Sequence, residues 1–186
     1  MTSGLEILTV GHSNHEERDF IELLRGAGIG LLIDVRANPR SRYQHFNRSP
    51  LAASLRVAGI GYEQLGEQLG GRRTPAPDSG NDSWTDDAFR GYADHMARPE
   101  FGAGLAELRR LASERGASGG RTALMCAEAD WRRCHRRLIA DALVLGGYRV
   151  GHLGPDGSLA EHELSDAVQL AGGVVSYPKP QTSLEI

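Results

Sequence analysis

The sequence predicts one α/β domain, a three-layer fold with a mostly parallel sheet and helices on both faces, Rossmann-like in plan. Three observations carry that expectation. Short apolar runs alternate with amphipathic stretches along most of the 186 residues, the pattern of repeated βαβ units. The run Leu31–Val35 (LLIDV) is almost unbroken, as expected of a strand covered on both faces. The residues that follow the runs are polar and reactive, which places chemistry at the carboxyl edge of a parallel sheet.

In order, Glu6–Gly11 (EILTVG) reads as the first strand. Ser13 or Asn14 is placed to cap a helix whose first turn holds Glu16 and Glu17, with Phe20, Ile21, Leu23 and Leu24 as its apolar face. Leu31–Val35 is the second strand. Arg36–Asn47 (RANPRSRYQHFN) is an irregular loop, and Ser49-Pro50 opens a helix that Gly59 ends. Tyr62–Leu65 is a short strand. Residues 66–84, rich in Gly, Pro, Asp and Ser, form a long surface loop. Thr85-Asp86-Asp87 caps a helix carrying Phe89, Tyr92 and Met96, and Pro99 starts another that runs to about Gly116. The apolar run Thr122–Cys126 is a buried strand, followed by an amphipathic helix that Gly146-Gly147 stops. Tyr148–Leu153 is a last strand and Glu161–Leu170 a last short helix. The domain spans 1–171, and 172–186, without periodicity, is a flexible tail.

Bulk properties exclude some classes. Net charge is −3, so nothing pulls the whole chain toward nucleic acid. No apolar run approaches the roughly 20 residues of a membrane span, and the first residues do not read as a secretory signal. The two cysteines stand eight positions apart in one segment, which is no disulfide framework. The reading is a cytoplasmic protein with reduced thiols and no membrane partner. Twenty arginines against a single lysine, Lys179, make arginine a weaker sign of anion binding than usual. Five of them fall between Arg36 and Tyr62, a stretch without an acid.

The segment Arg121–Gly146 holds most of the reactive groups. Cys126 and Arg132 are spaced as in cysteine loops that wrap an oxyanion with backbone N–H groups at a helix N-terminus. The field of such a loop also favours a thiolate nucleophile. With Ile33-Asp34-Val35-Arg36, this spacing resembles the rhodanese and tyrosine-phosphatase plan, although Glu128 and Asp130 stand where a glycine-rich turn is expected. Glu128 is a candidate proton carrier, or a carboxylate capping the helix from Trp131. Cys134 and His135 read as helical, leaning toward the sheet, with His135 a candidate catalytic group or a partner of the 34–47 loop. Arg132 and Arg136, four apart, face the ligand; Arg133, Arg137 and Asp141 form an outer, solvated stripe in which Arg137 pairs with Asp141. His12, Asp34, Arg36 and Arg40 complete the candidate ligand-binding set. Arg36, Arg40 and Arg42 interleave with Tyr43, His45 and Phe46, a combination suited to phosphates and a stacked base. A metal set would draw on Cys126, Cys134, His135 and His12. No pair has close metal spacing, and neighbours on a helix point about 100° apart, so neither a metal nor a cofactor is expected.

Several segments together resemble the uncharacterised bacterial family known as domain of unknown function 488. They are Thr9–Asn14 (TVGHSN), Asp34–Arg40 (DVRANPR), Phe46-Asn47, Leu69–Arg72 (LGGR), Phe89–Tyr92 (FRGY), Pro99–Phe101, Leu124–Glu128 (LMCAE), Arg133–Arg136 (RCHR) and Leu138–Ala140. The resemblance implies a stand-alone cytoplasmic α/β domain and supplies no reaction. Where the family often carries a proline between the glutamate and Cys-His-Arg, this chain has Ala129-Asp130-Trp131.

Two functions compete on these grounds, with a third behind them. The first is an enzyme, a transferase or hydrolase using Cys126 with an arginine-lined anion site on a small anionic, nucleotide or nucleic-acid substrate. The second is a non-catalytic nucleotide- or nucleic-acid-binding module with structural cysteines. The third is a metal-dependent hydrolase. All three require His12, Asp34, Arg36 and Cys126 to meet along one rim. Nothing in the sequence fixes the oligomeric state.

Overall fold

A computed structural model of the chain describes residues 6–179. The core is a six-stranded sheet. Its strands are β1 (Glu6–Gly11), β2 (Ile29–Asp34), β3 (Gly61–Gln64), β4 (Arg121–Cys126), β5 (Arg149–Leu153) and β6 (Leu159–Glu161), in the order β3-β2-β4-β1-β5-β6. The first five are parallel, and β6 returns antiparallel from β5. This is the α/β architecture the alternating pattern predicts. β4 enters between β2 and β1, so the centre of the sheet is β4 beside β1.

Alternation along the strands divides the core. Leu8, Val10, Leu32, Ala123 and Met125 face one side. There they pack on α1 (Glu17–Gly26) through Phe20 and Leu24, and on α2 (Arg48–Val57) through Leu51 and Leu55. Ile7, Ile33 and Leu124 face the other. That face takes α3 (Gly66–Leu69), α4 (Asp87–Met96), α5 (Pro99–Ala117) and α6 (Arg136–Leu145). The interiors of β1, β2 and β4 are covered on both faces, which is why their runs read as continuous rather than alternating apolar.

Local signals explain several boundaries. Asp86 caps α4, its side chain accepting from the N–H groups of Ala88 and Phe89 at 2.8 and 3.2 Å. Pro99 opens α5, where its missing N–H costs nothing. Gly59, at φ +76°, turns the chain out of α2.

Elsewhere tertiary contacts override local expectation. Neither Ser13 nor Asn14 caps α1. Glu16 holds the cap position without a side-chain bond, and Ser13 instead adopts φ +46° and donates its N–H to Ala127. The long loop after α3 is pinned: Asp94 accepts from Ala76 N, Ser79 Oγ and Asn81 Nδ2.

The last predicted helix, over 161–170, does not form. That stretch ends β6 and begins a hairpin of β7 (Gln169–Ala171) and β8 (Val174–Ser176). The reason is Asp141, fully buried on α6 rather than exposed beside Arg137. It accepts from His162 Nε2 at 2.9 Å, from Ser165 N and Oγ at 3.0 and 2.8 Å, and from Tyr177 OH at 2.8 Å. A buried carboxylate needs donors, and recruiting them unwinds the segment that supplies them. The flexible tail expected from 172 is therefore replaced as far as 179 by β8 and the buried Tyr177; its remainder lies outside the described residues.

Candidate functional site

The carboxyl ends of β1, β2 and β4 lie side by side. Gly11 is in register with Cys126 and Asp34 with Met125. The chain carries the pattern on past the strands, with His12 N donating to Cys126 O at 2.9 Å and Val35 N to Met125 O at 3.0 Å. Residues far apart in sequence thus meet on one rim.

Along that rim, Asp34, Arg36 and His12 form one buried chain of bonds. Arg36 donates from N and Nε to Asp34 Oδ1 at 3.0 and 2.9 Å, and from Nη2 to Oδ2 at 2.6 Å. Tyr62 OH donates to the same Oδ2 at 2.7 Å. Arg36 Nη1 lies 3.2 Å from His12 Nε2, while His12 Nδ1 donates to Ser13 O at 3.0 Å. Burial, then the Arg36 guanidinium, brings His12 down to about 4. The ring is neutral and stacks on Phe46 with centroids 4.2 Å apart. Asp34 has no oxygen left for a ligand, and Arg36 is 4% exposed. The two brace the rim rather than reach across it.

The expected anion cradle at Cys126–Arg132 is not built. Its own acids occupy two of the loop's amides: Glu128 Oε1 accepts from Asp130 N at 3.2 Å, and Asp130 Oδ1 from Arg132 N at 3.0 Å. The N–H groups of Arg133 and Cys134 go to the carbonyls of Asp130 and Trp131. Only a 3-10 turn, Trp131–Arg133, forms here, and α6 starts at Arg136. Arg132 points outward over the Trp131 ring at 4.7 Å. Arg136 is buried, and its guanidinium ties the turn together by donating Nε–H to Cys134 Sγ at 3.3 Å and Nη2–H to the carbonyl of Glu128. Neither Arg132 nor Arg136 lines the cavity described next.

Because the helix begins late, Cys134 is extended (φ −127°, ψ 146°) and His135 precedes the first helical turn. The sequence reading placed both within a helix, pointing apart. Released from helical geometry, they turn to Cys126. The three ligating atoms, two Sγ and an imidazole nitrogen, lie within 4.8 Å of one another. His135 Nε2 donates to Val35 O at 3.1 Å, reaching the 34–47 segment, and leaves Nδ1 facing Cys134 Sγ at 3.6 Å. Both cysteines are free. The neighbouring Cys126 sulfur, then His135 and Arg136, draw Cys134 below the ordinary thiol range, while the nearby Cys134 and burial push Cys126 up.

This cluster forms the floor of a cavity of about 800 Å³. His12, Ser13, Glu128, Tyr43, Phe89 and Tyr92 contribute to its walls, and Arg40, Arg42, Arg72 and Arg133 to its basic side. All four arginines are exposed, and among the described residues none meets a carboxylate. Among the described residues two non-glycines have left-handed backbone, Ser13 and Arg72 (φ +62°), and both lie on this cavity. Such strain costs about 1–3 kcal/mol per residue and collects at functional sites. Gly71 packs its backbone onto the imidazole of His135, where a Cβ would stand 2.8 Å from Nδ1.

The sequence therefore locates Cys126, Glu128, His135, His12 and Arg40 on the cavity. It misses Arg72 and Arg133, the latter assigned to the outer stripe, and it misses the pairing of Cys134 with Cys126. Arg72 follows Leu-Gly-Gly, a break that signals special backbone, but its aim is a tertiary matter.

A mostly parallel α/β sheet with a cavity at the carboxyl ends of its central strands defines a Rossmann-like domain. The chain belongs to the family described as domain of unknown function DUF488, whose model matches residues 17–143, from the start of α1 almost to the end of α6. No curated protein and no solved structure matches it. Among the described residues no helix is long and apolar enough to cross a membrane.

Proposed function

We propose that the cavity is the active site of an enzyme of transferase or hydrolase type acting on a small anionic substrate, a nucleotide or nucleic-acid end included. The supporting observation is the convergence of Cys126, Cys134 and His135 beneath four arginines that have no carboxylate partner. The cluster, rather than Cys126 alone, is the reactive centre. Arg40, Arg42, Arg72 and Arg133 bind the substrate's charge, in place of the buried Arg36 and Arg136. Glu128, exposed at the mouth, is available to carry a proton. Two free thiols suit a reducing, cytoplasmic setting.

The test has two stages. Inorganic pyrophosphate and a nucleoside monophosphate should raise the melting temperature of the wild type, since a ligand at 100-fold its Kd stabilises by about 2.7 kcal/mol. The Arg40→Ala/Arg72→Ala pair should lose that shift. Turnover is then sought among phosphate and sulfate esters, with Cys134→Ser as the inactive control. Anion binding unchanged by loss of the arginines, or turnover unchanged in Cys134→Ser, sinks the reading.

A binding module is the second reading. It is favoured by Tyr43 and Phe89 on the cavity wall, which offer ring faces to a base. Nucleotide binding that survives in the double cysteine variant, without turnover of any ester by the wild type, selects it.

A further inference from the structure

We propose that Cys126 Sγ, Cys134 Sγ and His135 Nδ1 are a three-ligand site for a thiophilic divalent cation, zinc above all, with the fourth coordination position open to the cavity. The inference rests on the reading of the cluster as the reactive centre, and it names what that centre holds.

The geometry fits the ion. Zinc bonds of about 2.3 Å to sulfur and about 2.0 Å to nitrogen place tetrahedral ligand atoms roughly 3.5–3.8 Å apart. Cys134 Sγ and His135 Nδ1 are already at 3.6 Å, and the full set lies within 4.8 Å. Small side-chain rotations close the remainder. The chemistry fits as well: two soft sulfurs and one imidazole favour zinc over magnesium or calcium, which prefer oxygen. Binding one divalent cation sends whatever thiol protons remain on the two sulfurs to solvent and leaves a neutral centre of two thiolates, a neutral imidazole and M²⁺.

The outer shell is the stronger argument. A metal-bound histidine normally donates its second N–H to a carbonyl or carboxylate, which fixes both ring and tautomer. His135 does so, with Nε2–H on Val35 O at 3.1 Å. Cys134 Sγ takes Nε–H from Arg136 at 3.3 Å. Two of the three ligand residues, His135 and Cys134, thus carry their own support. Gly71 holds the imidazole from the ring face. A merely structural pair of thiols needs none of this.

Three protein ligands with an open position is the arrangement of catalytic rather than structural zinc, which is closed by four. The open side here is the cavity, where Glu128 and the arginines lie. A metal-bound water or a substrate oxygen would take the fourth position.

The experiment is metal analysis of the purified protein, followed by titration of the metal-free protein with cobalt(II) alone. Zinc near one per chain is expected. Cobalt should produce sulfur-to-metal charge-transfer absorption and the intense visible bands of a tetrahedral site. Cys126→Ser and His135→Ala should each weaken cobalt binding at least about 10-fold, the lower bound set by the loss of a single outer-shell partner. Circular dichroism serves as the fold control. If a variant unfolds, the wild-type spectrum still decides. Both thiols titrating freely in native protein that holds no metal and takes up no cobalt, or a Cys126–Cys134 disulfide, overturns the site. Those outcomes leave the proposed function standing if the arginine variants still lose anion binding. Stoichiometric metal without anion binding sinks the proposed function and keeps the metal.

Discussion

His135 donates its Nε2 proton to the carbonyl of Val35 at 3.1 Å, across one hundred residues of chain. That bond joins the start of α6 to the end of β2, settles which ring nitrogen faces the two sulfurs, and makes the cavity floor a property of the whole sheet edge. Arg36 and Arg136, charged groups a sequence reader assigns to ligand, do the same kind of work on either side by tying backbone and side chains together.

Asp34→Asn should destabilise the protein by about 3–5 kcal/mol, because it leaves the Arg36 guanidinium buried without its counter-charge. Tyr62→Phe removes only one donor from the same carboxylate and should cost about 1–3 kcal/mol. Urea unfolding measures both. Equal effects would mean that Asp34 does not hold Arg36 as described.

Asp141→Ala should be among the most damaging single changes on α6. It strips the partner from His162, Ser165 and Tyr177 at once, each orphan costing about 1–3 kcal/mol. The loss should appear first as protease sensitivity between 162 and 179, where three residues bond to this carboxylate. A hairpin that stays protected in the variant would contradict that.

His152 gives the fold a pH dependence. Burial, then His162 and the Arg136 and Arg132 guanidinium groups, lower it to about 3, with the Cys134 sulfur opposing. Among the described residues its side-chain partners are Thr9 Oγ1 and His162 Nδ1, under the stacked ring of Trp131. Folding therefore favours the neutral ring. The unfolded chain binds the extra proton below about 6.5, so this contribution is complete above pH 6.5 and is lost as pH falls toward 3, with a slope near 1.4 kcal/mol per pH unit. The urea midpoint should drop across that window, and His152→Gln should flatten the drop. An unchanged profile in the variant would remove His152 as the cause.

Gly11→Ala tests the closeness of β1 to the cysteine turn. A Cβ there would overlap the carbonyl of Glu128, the same carbonyl that Arg136 binds. The turn must move, at a cost of about 1–3 kcal/mol, and cysteine alkylation should speed up as Cys126 is uncovered. Wild-type stability together with wild-type alkylation would show that the turn is not held against β1.

The sequence by itself determined the layered α/β plan, because strands covered on both faces must be continuously apolar and helices covered on one must repeat at 3.6 residues. Leu31–Ile33 and Phe20/Leu24 carry those signals in their own neighbourhoods. It also determined the edge where chemistry collects, since chain direction alone sends every parallel strand's carboxyl end the same way. Only the tertiary structure decided which polar residues face the cavity. Arg36 and Arg132 look alike in the chain, yet one is sealed by Asp34 and the other is turned to solvent on a loop where Glu128 and Asp130 accept from two of the amides. Asp141 reads as surface until His162, Ser165 and Tyr177 arrive from twenty to forty residues away to bury it, and in doing so they unmake a helix. Cys134 and His135 meet Cys126 because α6 starts at Arg136, a boundary set by bonds to Val35 and Glu128 that no local pattern contains.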